Sequence, residues 1–126
     1  MLRDKDAVAN LAVKDLAVSR RFYHDTLGLE EVGSEGEELV VFQSGTSTLN
    51  VYRSKFAGTN QATAVTWDVG NEIEDVVGRL KAKGIKFEHY DDMPGHTLKG
   101  DIHVFDGIKV TWFKDPDGNI LNVVGR

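Results

Sequence analysis

The hydrophobic and polar positions along the chain follow strand and helix patterns in a fixed order. An almost unbroken apolar run at residues 7–13 predicts a strand buried on both faces. A helix is predicted next, because Asp15 stands where a helix cap is expected, apolar residues recur at helical spacing, and Gly28 supplies a stop. Three short strands complete this group, at residues 29–32, 38–43 and 48–52.

The second half of the chain repeats this order. Residues 64–69 predict a strand, and the apolar face of residues 73–80 predicts a helix that ends at Gly84. Gly28 lies 56 residues before Gly84, and the same offset aligns the first strands of the two halves. The remaining strands are predicted at residues 85–89, 102–105, 109–113 and 120–124, with a long insertion at 90–100 and turns at 106–107 and 115–119.

This repeat predicts an α+β fold of two βαβββ units, whose strands form a curved mixed sheet around a shared pocket. The units are predicted at residues 7–52 and 63–125 of a single domain, 1–126, and a polar linker at 53–62 joins them. The length of 126 residues is that of one ordinary domain and is sufficient for a buried core. Duplication alone does not specify a function, so the function depends on the side chains at the pocket positions.

The composition narrows the classes of partner and compartment. The chain has no cysteine, which removes thiolate metal ligands and thiol nucleophiles and favours a reducing, cytoplasmic location. Its net charge of -5 comes from interspersed acidic and basic residues, without the basic stripe that nucleic acid attracts. No apolar stretch approaches the ~18 residues of a membrane span. We therefore expect neither nucleic acid nor a membrane as a partner.

Two motifs carry a resemblance to a known family. One is Val-Lys-Asp-Leu-Ala-Val-Ser-Arg-Arg-Phe-Tyr at residues 13–23 with Leu-Gly-Leu-Glu at 27–30, and the other is Phe-Lys-Asp-Pro-Asp-Gly-Asn at 113–119. Together they resemble the opening and closing motifs of the vicinal oxygen chelate superfamily, which includes glyoxalase I, bleomycin-resistance proteins and extradiol dioxygenases. The resemblance spans nearly the whole chain and implies a glyoxalase-like fold, a small-molecule ligand and a homodimer.

The resemblance also locates the positions at which metal-dependent members hold a divalent ion, typically with histidine, glutamate or glutamine. Counting from the family motifs assigns these four positions to Val8, Asn50, Ala64 and Asn122. Two of these side chains have no donor atoms, and two neutral amides are weak ligands for a divalent ion. The usual metal site is therefore predicted to be absent, and no cofactor is predicted.

The four histidines offer an alternative metal site. His89, His96 and His103 are spaced seven residues apart with aspartates nearby, although this spacing matches no known ligand motif. Much of this segment is the insertion, which is polar simply as a solvated loop. His24, beside Asp25 on the first helix, is expected to be exposed. A divalent metal at the three clustered histidines is the alternative to a metal-free protein.

Strand alternation predicts which side chains face the pocket. If the four family positions face inward, Asn10, Tyr52 and Thr66 do so too, while the helix-facing positions on the same strands are strongly apolar. His103 and Trp112 are further candidates, although a strand histidine is more often bonded to a neighbour and a tryptophan here as often belongs to the core. The predicted ligand-binding residues are Asn10, Asn50, Tyr52, Thr66, His103, Trp112 and Asn122.

Three classes of function are open at this point. The neutral lining favours a metal-free protein that binds or sequesters a small aromatic or amphipathic molecule, as bleomycin-resistance proteins do. The second class is a lyase, isomerase or dioxygenase of the same superfamily, with a non-standard metal or with His103 and Asp101 transferring a proton. The third is a dimeric, non-catalytic interaction subunit. The asparagines among the candidates are equally consistent with structural amides that bond one another or water.

Overall fold

The computed structural model describes all residues, 1–126, and divides into two compact units, Met1–Thr59 and Asn60–Arg126. The boundary falls inside the segment 53–62 that the sequence predicts as a linker. Each unit has a helix and its own mixed sheet of parallel and antiparallel strands, so the predicted α+β class is confirmed. None of the helices has the length and apolar character that crossing a membrane requires.

The first unit follows the predicted order of strand, helix and three strands. The Asp15 carboxylate caps the helix, because it accepts hydrogen bonds from the N–H groups of Ala17 (2.9 Å) and Val18 (3.3 Å). Gly28 ends the helical segment at φ 79°, a conformation that glycine adopts without strain. The elements are β1 (Ala9–Val13), α1 (Leu16–Arg20) with a π-helical continuation (Arg21–Thr26), β2 (Glu30–Glu35), β3 (Leu39–Ser44) and β4 (Ser47–Arg53).

The sheet of the first unit has the strand order β1-β4-β3-β2, with β1 parallel to β4 and the other neighbours antiparallel. Its helix-facing side holds the core of the unit, where Leu11, Phe42 and Val51 are almost completely buried. Tyr23 of the π-helical segment packs on Phe42 with 5.8 Å between ring centroids. The other side of the sheet carries Asn10 and Tyr52, which are exposed. This burial pattern agrees with the predicted alternation of β1 and β4.

The second unit has more strands than the first. Its elements are β5 (Thr63–Asp68), α2 (Ile73–Ala82) after a 3-10 turn (Gly70–Glu72), β6 (Phe87–Glu88), β7 (Thr97–Lys99), β8 (Ile102–Phe105), β9 (Ile108–Lys114) and β10 (Ile120–Gly125). The strand order is β5-β10-β9-β8-β7, with β10 parallel to β5, and β6 also pairs with β9. Because β10 occupies one edge of β9, β6 and β8 share the other edge.

The insertion at 90–100 therefore interrupts what is a single strand in the first unit. Phe87 of β6 lies opposite Phe113, and His103 of β8 lies opposite Val110 further along the same strand. The strand predicted at 85–89 is wrong in length, since only Phe87–Glu88 pairs. The insertion also contains β7, which was not predicted. The three residues of β7 are mostly polar and too few to show the alternation of a strand. This strand forms because its backbone pairs with β8.

The register of the parallel pairs repeats between the units. Asn10 lies opposite Asn50 where β1 meets β4, and Thr66 lies opposite Asn122 where β5 meets β10. The offset of the two helix-ending glycines makes Asn10 equivalent to Thr66, so Asn50 and Asn122 occupy equivalent places. The two predicted last-strand positions of the family are thus matched in register.

The turn between β9 and β10 is held by one buried carboxylate. Asp115 accepts hydrogen bonds from the N–H groups of Asp117 (3.0 Å) and Asn119 (2.8 Å), and from the Asn119 side-chain amide (2.8 Å). Gly118 turns the chain at φ 90°. Two backbone donors that would otherwise be unpaired are satisfied in this way. This turn fixes the register in which Trp112 faces Asn122.

Candidate functional site

Five ring side chains lie close together on one face of the second sheet. We name the rings of His89, Tyr90, His96, His103 and Trp112 the His103 cluster. His103 contacts Trp112 edge to face with 5.1 Å between ring centroids, and Tyr90 meets Trp112 in the same way at 5.3 Å. The His96 ring lies 5.1 Å and the His89 ring 6.4 Å from that of His103. Such offset and edge-to-face contacts are the favoured geometry of aromatic rings.

His103 lies at the centre of this cluster and is fully buried. Its Nε2 accepts a hydrogen bond from the backbone N–H of Tyr90 at 3.0 Å, so in the neutral imidazole the proton is on Nδ1. That Nδ1 has no hydrogen-bond partner. Burial lowers the pKa of His103 below its ordinary value, and the nearby His96 lowers it further. The Val110 carbonyl acts in the opposite direction and raises the pKa, although Nδ1–H makes no well-aligned hydrogen bond with it. His103 is therefore a neutral group whose donor is not satisfied by a hydrogen bond of good geometry.

Asn122 lies on the other side of Trp112. It is directly opposite Trp112 on β9 and opposite Thr66 on β5. The residue is 7% exposed, and its Oδ1 is buried without a hydrogen-bond partner. An unpaired buried acceptor is unusual in a native fold and calls for a specific explanation. Two of the sequence-predicted ligand residues thus each present an unpaired buried atom beside the same indole ring.

The Asp101 carboxylate is bonded to side chains other than His103. Its two carboxylate oxygens accept from His89 Nε2 (2.7 Å) and Lys81 Nζ (2.8 Å), and its backbone carbonyl accepts from the Thr111 hydroxyl (2.9 Å). Hydrogen bonds from Lys81 and then from His89 lower the pKa of Asp101. Asp101 and His103 are thus hydrogen-bonded to other groups, and a proton-transfer role for this pair stays a prediction. The structure pairs Asp101 with His89, because His103 turns its Nε2 toward the Tyr90 backbone.

The three histidines of the insertion region lie close together, and a divalent metal bound by them stays a prediction. No group of three or more histidine or carboxylate side chains is arranged to hold an ion. The nitrogen that His103 presents to the cluster is protonated in the neutral tautomer set by Tyr90, and a protonated nitrogen cannot ligate. His96 Nδ1 lies 2.6 Å from the Met93 carbonyl. His24 is exposed in the first unit, beside Asp25.

The four family metal positions do not fit a divalent ion either. Val8 and Ala64 have hydrocarbon side chains, and Val8 is 39% exposed. Asn50 donates its amide N–H to Asn10 Oδ1 at 3.3 Å, so this amide already has a protein partner. The donor set lacks the imidazoles and carboxylates that offset a divalent charge. The expectation that this protein needs no metal stays a prediction.

The predicted ligand residues divide between the units. Asn10, Asn50 and Tyr52 lie together on the exposed side of the first sheet, where Asn10 also bonds the Val8 carbonyl. The others, Thr66, His103, Trp112 and Asn122, lie on the second sheet. The prediction that both halves line one pocket stays a prediction.

Sequence reasoning missed Tyr90 and His96 as neighbours of His103. Tyr90 follows Glu88 at the two-residue spacing of a strand, and Glu88 lies opposite Trp112. That alternation was the available signal for placing Tyr90 on the same face as Trp112. His96 gave no comparable signal, because it approaches His103 only through the path of the insertion.

The fold and the ring-lined face are those of a small α+β protein built from a duplicated unit. The chain belongs to the glyoxalase/bleomycin resistance protein/dioxygenase superfamily, whose family model matches residues 6–123. The match covers both units and confirms the resemblance seen in the two motifs. Comparison with curated proteins gives no match for this sequence.

Solved structures show the same fold at low sequence identity. A lactoylglutathione lyase from Agrobacterium tumefaciens is 22% identical with a TM-score of 0.72, and the match covers 99% of this chain and 96% of that one. An integron cassette protein from the mobile metagenome of Halifax Harbour sewage outfall is 18% identical with a TM-score of 0.71, covering 98% and 99%. The fosfomycin resistance protein FosX from Mesorhizobium loti is 11% identical with a TM-score of 0.68, covering 100% and 94%. At these identities the likeness shows the fold alone.

Proposed function

We propose that this protein binds a small, uncharged aromatic or amphipathic molecule against Trp112 and the His103 cluster. The observation that supports this most directly is the grouping of rings around a fully buried, neutral histidine on one sheet face. Ligand sites are mostly apolar and aromatic, with a few placed polar groups. A planar ligand gains stacking contacts on such a face.

Two carboxylates near the cluster are paired with cationic or histidine partners, and Asp91, whose charge also acts on His103, is exposed to solvent. Glu88, opposite Trp112, pairs with Lys114 at 3.1 Å, and Asp101 is held by Lys81 and His89. Burial, and then the charge of Glu88, raises the pKa of Tyr90, which keeps its phenol neutral. A face of neutral groups favours an uncharged ligand, because a charged one would lose hydration without gaining a counter-ion.

Fluorescence of the two tryptophans tests this proposal. We expect aromatic compounds from a panel of metabolites and antibiotics to quench Trp112 and to raise the melting temperature. Trp112→Phe leaves Trp67 as the only indole and is expected to lose the quenching, whereas Trp67→Phe is the matched control and is expected to retain it. Quenching that persists in Trp112→Phe, or a panel without any binder, would refute the proposal.

Acid-base catalysis is the second candidate, favoured by one observation. Asp101 is anchored by Lys81 and hydrogen-bonded to His89 Nε2, which leaves His89 Nδ1 as a base when the imidazole is neutral. This arrangement replaces the His103-centred site expected from the sequence. A rate of substrate turnover that is lost in His89→Gln and retained in His24→Gln would favour this candidate over binding alone.

The family membership also supports a homodimer and a cytoplasmic location as part of the proposal. Light scattering coupled to gel filtration tests the first point, since a mass of one chain at micromolar concentration would remove the dimer. Fractionation of the source cells tests the second.

A further inference from the structure

We infer that the ligand has a fixed polarity, with a hydrogen-bond acceptor for His103 Nδ1–H at one end and a hydrogen-bond donor for Asn122 Oδ1 at the other. This inference rests on the proposed function and specifies the ligand class that the same site takes. The class is an uncharged planar ring system with a carbonyl or similar acceptor across the ring from an N–H or O–H group.

The acceptor end follows from the tautomer of His103. The Tyr90 backbone N–H can only donate, so His103 Nε2 must accept and the proton must be on Nδ1. The unpaired Nδ1–H is fully buried, and a buried donor without a partner is costly. A ligand oxygen satisfies it, whereas a second N–H group at this place would leave both donors unpaired.

The donor end follows from Asn122. Its Oδ1 accepts only, is buried, and has no partner among its neighbours on β5 and β9. The equivalent amide of the first unit, Asn50, bonds Asn10 across the parallel strands. In the second unit the place of Asn10 is taken by Thr66, and no such bond forms. The second unit thus lacks the paired amides of the first, and its Asn122 Oδ1 is buried without a partner.

The register of the strands places the two groups on opposite sides of Trp112. His103 on β8 lies opposite Val110, and Asn122 on β10 lies opposite Trp112, with β9 between the two strands. Two strand spacings of about 4.8 Å and a rise of about 6.8 Å over two residues put the two Cα atoms about 12 Å apart on the same face. The ligand therefore carries its acceptor and its donor at opposite ends of a planar ring system, as γ-quinolone does.

Both atoms are covered in the free protein, so binding must move the covering side chains. Tyr90, at the start of the insertion 90–100, and His96, within it, flank His103. The base of the insertion is held on both sides, because His89 and Asp101 are bonded to each other. The inference therefore requires the rings of Tyr90 and His96 to turn aside while the ends of the insertion stay in place.

Three probes of similar size test the polarity on the intact protein. γ-Quinolone has the carbonyl and the N–H, N-methyl-γ-quinolone lacks the donor, and indole lacks the acceptor. We expect γ-quinolone to bind with an affinity, measured by isothermal titration calorimetry, about tenfold higher than either single-function probe, the size of one buried hydrogen bond. In Asn122→Leu, γ-quinolone and its N-methyl form should bind equally. The same change at an exposed asparagine, Asn71→Leu, should keep the tenfold preference.

The outcomes separate this inference from the proposed function. Equal affinity of the three probes for the unmodified protein overturns the polarity while binding at Trp112 stands. A preference that survives in Asn122→Leu also overturns it. If none of the three quenches Trp112 but another aromatic compound does, the polarity is again wrong and the binding function stands. If no aromatic compound quenches Trp112, both fail.

Discussion

Replacing Asn122 by leucine should make the free protein more stable, which is the opposite of the usual result for a buried polar residue. The side chain is 7% exposed, and its Oδ1 has no hydrogen-bond partner, so leucine removes a desolvated acceptor and fills similar space. An unpaired buried group costs about 1–3 kcal/mol. Allowing for imperfect packing of leucine, we expect the free energy of unfolding to rise by about 1 kcal/mol, or about 4 °C in melting temperature.

The matched control is Asn50→Leu at the equivalent place of the first unit. Asn50 donates to Asn10 across the β1–β4 pair, so its loss should cost about 0.5–1.5 kcal/mol. Urea unfolding of both variants without ligand, followed by circular dichroism, measures the two changes. A loss of about 1 kcal/mol or more in Asn122→Leu would refute the reasoning, because it would show that the amide is paired in the free protein.

Three further predictions concern the turn, the buried histidine and the metal. Asp115→Ala should lower the free energy of unfolding by about 3 kcal/mol, because two backbone N–H groups and the Asn119 amide lose a charged acceptor. Thermal unfolding measures this change, and a loss under about 1 kcal/mol would contradict the prediction. Because burial lowers the pKa of His103, the imidazole binds a proton at higher pH in the unfolded chain than in the folded protein, so the free energy of unfolding should fall as the pH drops from about 6.5 to the folded-state pKa. His103→Gln should remove this part of the pH dependence. Equal slopes of the free energy of unfolding against pH for the two proteins would count against it. Metal analysis of protein purified without chelator should give no stoichiometric Zn, Ni, Mn or Fe, and chelator should leave the melting temperature unchanged; a bound ion whose removal lowers the melting temperature would end the metal-free proposal.

The fold shared with the solved structures does not transfer their activities to this chain. One of them is named as a lyase and another as a fosfomycin resistance protein, at 22% and 11% identity. One fold supports both kinds of protein because function depends on the side chains that the strands present. The proposal of a ligand for this chain is argued from Trp112, His103 and Asn122, and the proposed experiments address these residues directly.

Much of the fold was predictable because local signals agreed with one another. Asp15 and Gly28 mark the ends of the first helical segment, and both act as caps in the structure. The alternation of β4 and β10 places Val51 and Leu121 in the core, as predicted. Each of these signals depends on a few neighbouring residues and on burial, so sequence alone is sufficient for them.

The structure of the insertion, residues 90–100, could not be predicted from local sequence signals. Strand β7 forms only because its backbone pairs with β8, and the predicted strand before the insertion shortens to Phe87–Glu88. No local pattern encodes the approach of His96 to His103, since it depends on the path of a long polar segment. The partner of Asp101 was likewise decided by where Lys81 and His89 come together with it.

By itself, the sequence determined that this protein is a duplicated α+β fold of the glyoxalase superfamily with two aliphatic and two amide side chains at the family's metal positions. Only the tertiary structure decided which polar atoms have partners. Asn50 and Asn122 are equivalent in the repeat, yet the Asn50 amide N–H is bonded to Asn10, whereas the Asn122 Oδ1, on a strand beside Thr66, has no partner. Whether a buried group is satisfied depends on what packing brings within about 3 Å, and the order of residues along the chain does not contain that distance.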